Sequence, residues 1–250
     1  LYDRNSWLIK PATSCHDCAF VELLAIGEQR PRWFCSHWWG EPVRDFIRCV
    51  AAHQELRQQP SDPSDWSYWV CAYANRQHSL QQEINADPAQ TSFFKAMSLA
   101  EGVLLILDSE ATPYTRLWCA FEEHFALDES SDGRPQRPRM LLDIATSDPS
   151  STFAHVLTDG LTNAEKEVQD VNLANRLRTY RQASFPLEVL SKGLKPKLHE
   201  AQASEPADKR HILNTIAGKP LEDEPPSCHP EYDKVNARLG GICARAGWEK

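Results

Sequence analysis

The chain has 250 residues, 41% of them hydrophobic, with a formal net charge of −8 and only 10 glycines. That length allows one large domain, or a medium domain with an extension, and the acidic balance excludes the basic face of a nucleic-acid binder. The glycines form neither GxGxxG nor GxxxxGK[ST], and GxSxG and HExxH are absent as well, which removes the usual dinucleotide cradle, the P-loop and two common hydrolase signatures.

Residues 1–30 form an N-terminal segment. The chain opens on Leu1 rather than Met, so a longer parent protein is expected. Cys15-His16-Asp17-Cys18 has CxxC spacing. A zinc site needs a second ligand pair, and Cys228-His229 is the only other compact set, so no metal is expected. Trp33 to His37 is a short apolar run between turn signals and reads as a buried strand. Glu41-Pro42 opens a helix, with Val43, Phe46, Ile47 and Val50 at helical spacing. Pro60 to Asp65 is a polar turn cluster. Tyr68 to Ala74 is aromatic and β-branched enough for a second strand. Pro88 to Leu99 reads as a helix. Gly102 to Asp108 (GVLLILD) is a continuous apolar run of the kind found in parallel sheets. Thr112-Pro113 starts a helix running to about Asp128. Ser130 to Pro138 is a loop, Met140 to Ala145 a fourth strand and Phe153 to Leu157 a fifth.

Strands alternating with helices predict an α/β fold, a flavodoxin-like open parallel sheet of about five strands with helices on both faces. This domain spans 31–160. Residues 161–250 form a helical extension, with helices at Asn163 to Gln182, Leu187 to Ala203, Ala207 to Ala217 and Tyr232 to Ala246, and an acidic, proline-rich strap at Leu221 to Pro230. The longest apolar stretch, Val103 to Leu107, is far too short to span a bilayer. The cysteines in hydrophobic runs read as reduced, which predicts a cytoplasmic protein with no membrane partner.

Ligands of open parallel sheets bind outside the carboxyl ends of the strands. That selects Ser36, His37, Trp38 and Trp39; Asn75 to His78; Ser109 and Glu110; and Thr146. Asp108 ends the third strand and suits a cap on the following turn. On the helix from Thr112, with Leu117 at zero, Phe121, Phe125 and Trp118 fall at about 40°, 80° and 100°. Glu122 lies at about 140°, the margin of this apolar arc, and Glu123 at about 240°, on the solvent side. Partial burial of Glu122 raises its pKa and suits it to catalysis; the alternative is a flanking carboxylate paired with an arginine such as Arg116.

Ser36-His37 at a strand end, the aromatic second strand, GVLLILD and Trp118-Cys119-Ala120-Phe121-Glu122 together resemble a Toll/interleukin-receptor (TIR) domain. Trp-Cys-x-x-Glu is similar to the third-helix motif of the plant-type branch. The resemblance covers about Pro31 to Leu157. It implies a nicotinamide–ribose cleaving activity on NAD+, with Glu122 as the catalytic glutamate, NAD+ as substrate rather than cofactor, and self-association through the domain. His37-Trp38-Trp39 and the glycine-free Asn75-Arg76-Gln77-His78 depart from the family pattern. A charged nicotinamide leaves without protonation, so the pocket needs one carboxylate, flat faces such as Trp38, Trp39 or Tyr114 for stacking, and polar groups from Ser36, His37, Asn75, His78, Ser109 and Arg116. Trp38 and Trp39 suit core packing equally well, and His37 and His78 suit structural roles. A non-catalytic TIR-like self-association module and a nucleoside-processing glycosyl transferase are the competing readings.

Overall fold

The computed structural model describes residues 1–57, 66–80, 87–127, 140–147, 153–203 and 205–248. The turn cluster at 60–65 and the loop at 130–138 lie outside the described residues. Strands β1 (Trp33–His37), β2 (Tyr68–Trp69), β3 (Gly102–Leu107), β4 (Leu141–Ser147) and β5 (Ala154–Leu157) form one sheet in the order β2-β1-β3-β4-β5. This is the flavodoxin-like α/β order, with the switch point between β1 and β3. β1 to β4 run parallel, whereas β5 pairs antiparallel to β4. The fully parallel sheet is therefore corrected at one edge, an arrangement common on doubly wound sheets. Too few residues separate β4 from β5 for the helical crossover that a parallel partner needs.

Helices cover both faces. The main ones after β1 to β3 are α1 (Val43–Arg57), the single turn α2 (Cys71–Ala74), α3 (Ser92–Leu99) and α4 (Leu117–Leu127). Alternate residues of β3 divide the core. Val103, Leu105 and Leu107 face α3, α4 and the C-terminal helices, while Leu104 and Ile106 face α1. A helical run over 2–13 closes that second face, with Ile9 fully buried among its residues.

Several sequence expectations shift for identifiable reasons. The inner stripe of α1 is Phe46, Cys49, His53 and Arg57, and Ile47 is 57% exposed. Buried Asp143 of β4 sets this rotation. It accepts bonds from His53 Nε2 (3.0 Å), Arg57 Nε (2.7 Å) and Arg57 Nη2 (2.8 Å). The second strand is cut to two residues because the chain turns at Val70, whose carbonyl accepts from the amides of Tyr73 and Ala74. The helix expected from Thr112 is broken into a 3-10 turn (Thr112–Thr115) and α4, with extended backbone at Arg116. Gln202 causes the break: its amide donates to the Thr115 carbonyl and its carbonyl accepts from Leu117. Asp108 caps this turn as expected, binding the Thr112 amide and hydroxyl at 2.6 Å each.

The C-terminal region is helical but more divided than its periodicity suggests. It comprises α5 (Asn163–Lys166), α6 (Val171–Gln182), α7 (Leu187–Gly193), a 3-10 turn (Leu198–Glu200), α8 (Pro206–Ala217) and α9 (Pro230–Trp248). Asp170 caps α6 from its side chain, and Pro196 prevents α7 from continuing. These helices share a core with α4: Ile212, Leu213, Val235, Leu239 and Cys243 join Leu117 and Phe121 in one cluster. Gly193 permits the closest approach, since a Cβ there would stand 2.5 Å from Cys243 Sγ and 2.8 Å from the Tyr114 ring. The acidic strap is held by Asn214 Nδ2, which donates to the carbonyls of Leu221 and Asp223. No described helix is long and apolar enough to cross a membrane.

Candidate active site

A cavity of about 600 Å³ opens at the carboxyl edge of the sheet. Its walls come from the end of β1 (Cys35, His37, Trp38, Trp39), the turn after β2 (Cys71, Asn75, Gln77) and α4 (Trp118, Cys119, Glu122). Arg116 lines it from the break before α4. The volume lies within the about 300–1,000 Å³ typical of small-molecule sites.

Glu122 is buried at this wall. Burial pushes its carboxyl up to about 8, with the Ser36 hydroxyl opposing the shift. The helical wheel places Glu122 correctly at the edge of the apolar face. It misplaces Glu123, which is fully buried and not on the solvent side. The wheel takes no account of a second helical layer, and α8 and α9 pack on the face that would otherwise meet water. Neither Glu123 carboxyl oxygen has a hydrogen-bond partner among the described residues. Burial, and then the neighbouring Glu122, push Glu123 well above the ordinary carboxylate range.

His37 is fixed by Glu41, with Nδ1 3.1 Å from Glu41 Oε1 and both side chains enclosed. Burial raises the Glu41 carboxyl, and the bond to His37 opposes that rise. The other ring nitrogen of His37, Nε2, is buried without a partner. Asn75 Nδ2 and Gln77 Oε1 are in the same condition on the opposite wall. Buried polar atoms in native proteins are nearly always satisfied, so three orphans around one cavity point to a ligand or water that completes them.

Aromatic rings supply the flat surfaces. Trp39 is anchored by Nε1, 3.0 Å from Cys71 Sγ, and its ring lies 5.7 Å from that of Tyr2. Burial pushes the Cys71 thiol up to about 12, the Trp39 bond opposing, so it is no nucleophile at neutral pH. Gly40 makes room for the Trp38 ring, which a Cβ there would strike. Trp118 stacks on Phe93 at 5.4 Å and 23°, and its Nε1 bonds Asp208 Oδ2 at 2.9 Å. It therefore faces the cavity and α8.

The cavity thus brings together six of the sequence-selected residues: Glu122, His37, Trp38, Trp39, Asn75 and Arg116. Four lie elsewhere. Ser36 is buried beneath the site, on the neighbouring strand position, without a well-formed hydrogen bond. His78 is exposed and bonds the Lys10 carbonyl at 2.9 Å, a tie to the N-terminal helix. Ser109 is exposed, and its carbonyl accepts from Lys192. Tyr114 is buried against α7 and α9, its hydroxyl 3.4 Å from Cys243 Sγ, so it packs rather than stacks on a ligand. The packing of the C-terminal helices decides both the Tyr114 and the Ser109 placements.

The residues that sequence reasoning missed come largely from the two ends of the chain. Tyr2 lines the cavity from the N-terminal run, Gln202 from the extended segment that bridges to Arg116, and Glu205 and Asp208 from the start of α8. No local motif marks them. Among the described residues, no group of three or more His, Cys, Asp or Glu is arranged to hold a metal ion. All eight cysteines are free. No protein-family model matches the chain, and no curated protein or solved structure does either.

Proposed function

We propose that this chain is a TIR-like NAD+ nucleosidase that cleaves the nicotinamide–ribose bond at Glu122. The observation that carries the reading is the position of Glu122: a buried carboxyl in a strand-end cavity that also holds aromatic rings and orphaned polar groups. In this reading the bond between ribose C1′ and the nicotinamide nitrogen breaks, its electron pair leaving with neutral nicotinamide. The Glu122 carboxylate stabilises the positive charge that develops on the ribosyl ring. Water then attacks C1′, and its proton passes to His37 Nε2, while Glu41 holds the imidazole by Nδ1. Attack by an adenine nitrogen in place of water gives the cyclic product. Trp38, Trp39 and Trp118 offer stacking faces for the bases, and Asn75, Gln77 and Arg116 offer bonds to hydroxyls and phosphates. We place the activity in the cytosol, a reducing setting that suits eight free thiols.

Product analysis tests the reading. The protein is incubated with NAD+ and the mixture resolved by chromatography, for wild type, Glu122→Gln and His37→Ala. Wild type yields nicotinamide with ADP-ribose or its cyclic form, Glu122→Gln yields neither, and His37→Ala slows hydrolysis by roughly 10²-fold. Intact NAD+ in a concentrated wild-type sample contradicts the proposal and leaves a self-association module as the alternative.

A further inference from the structure

A second cavity, of about 400 Å³, lies at the opposite end of the sheet and shares no lining residue with the first. Its floor is apolar: Leu142 and Ile144 of β4, Leu157 of β5, and Ile242 and Ala246 of α9. Its rim is cationic. Arg178 comes from α6, and Arg238 and Arg245 come from α9. The spacing 238, 242, 245, 246 puts both arginines of α9 beside its apolar contributors on one helical face. Among the described residues Asp159 is the one carboxylate lining the cavity, beside three guanidinium groups.

Two of the nearby arginines are already held by carboxylates. Arg57 and Arg181 are saturated by Asp143 and Glu165. Among the described residues Arg178 pairs with no carboxylate, and its Nη2 donates a long bond, 3.4 Å, to the Thr158 carbonyl. Its Nε is buried and has no acceptor among the described residues. A buried guanidinium N–H without an acceptor is costly, and the planar fork of arginine matches a two-oxygen anion. Gln182, one turn after Arg178, already spends its amide on the Thr158 carbonyl.

We propose that this cavity is a binding site for a small organic oxyanion, a phosphate or carboxylate head on an apolar body. The head meets Arg178 with the α9 arginines at the rim, and the body fills the Leu142–Ile144–Leu157 floor. The site stands independently of the reading of Glu122.

Calorimetric titration tests it with four probes: phenyl phosphate, benzoate, inorganic phosphate and benzyl alcohol. At least one of the two aromatic anions binds, and which of them does identifies the head. Benzyl alcohol and inorganic phosphate bind at least roughly tenfold more weakly, because each lacks one half of the match. Arg178→Gln weakens the anion by roughly tenfold or more. Ala237→Trp, at an exposed position on the cavity wall, blocks it sterically while leaving every arginine in place. Glu122→Gln leaves it unchanged. Amide shifts in a heteronuclear spectrum fall at Leu157 and Gly241. No heat from either aromatic anion, equal binding of benzyl alcohol, or binding indifferent to both Arg178→Gln and Ala237→Trp overturns the proposal.

Discussion

Replacing Glu122 by glutamine removes an ionisable proton while keeping nearly the same shape, and its effect on stability follows from burial. The carboxyl sits at about 8 in the fold against 4.5 outside it. Between those two values the folded state keeps a proton that the unfolded chain releases, so stability falls as pH rises and levels off above about 8. The whole interval is worth about 4–5 kcal/mol at about 1.36 kcal/mol per unit. At pH 7 about 3 kcal/mol of that is already lost. Glutamine has no proton to lose. Glu122→Gln should therefore match wild type near pH 4.5 and exceed its stability by about 3 kcal/mol at pH 7. Urea unfolding, followed by tryptophan fluorescence at pH 4.5, 6, 7 and 8.5, measures the difference. Loss of the Glu122 charge also relieves the push on Glu123, so the difference between the two curves reports the coupled pair, with the same sign. Parallel stability curves for the two proteins would refute the account of Glu122 as a buried, destabilising carboxyl.

Further outcomes follow from the same geometry. If the Glu122 carboxylate is the working form, kcat/KM for NAD+ cleavage climbs about tenfold per pH unit below about 8 and is flat above it; a fall through that region would assign an acid role instead. Asp143→Ala strands Arg57 and His53 in the core and lowers stability by about 3–5 kcal/mol, read from denaturant midpoints. Burial raises the Asp143 carboxyl, but the bonds from His53 and Arg57 outweigh it and hold the group below 3.8. Its contribution is present above that value and is lost on acidification, so the variant loses part of the wild-type acid limb. Gly193→Ala drives a methyl into Cys243 and Tyr114 and lowers stability by about 1–3 kcal/mol, seen as a drop in Tm.

The α/β class and the order of elements were legible because GVLLILD and its neighbours carry long apolar runs punctuated by turns. Glu122 was legible because helical periodicity fixes an angle, and α4 is regular where it matters. Glu123 was not, because an angle on one helix says nothing about the layer beyond it. The same blindness misplaced Tyr114, which meets Cys243 across 129 residues of sequence. Long-range polar contacts were equally hidden: Asp143 decides which face of α1 turns inward, and only the fold brings Asp143 to His53 and Arg57. The scarcity of glycine excluded a cradle that holds a dinucleotide by its pyrophosphate. The cavity has a different character, with rings and amides near the strand ends and the Glu122, Glu205 and Asp208 carboxyls from helices and their starts.

The most direct measurement is nicotinamide release from NAD+ at pH 8.5, where the Glu122 carboxyl is largely ionised. Wild type and Glu122→Gln are compared at equal, high concentration after both are shown to be folded. The account predicts steady release by wild type and none above background by the variant. Equal release by both, or none by either, contradicts it.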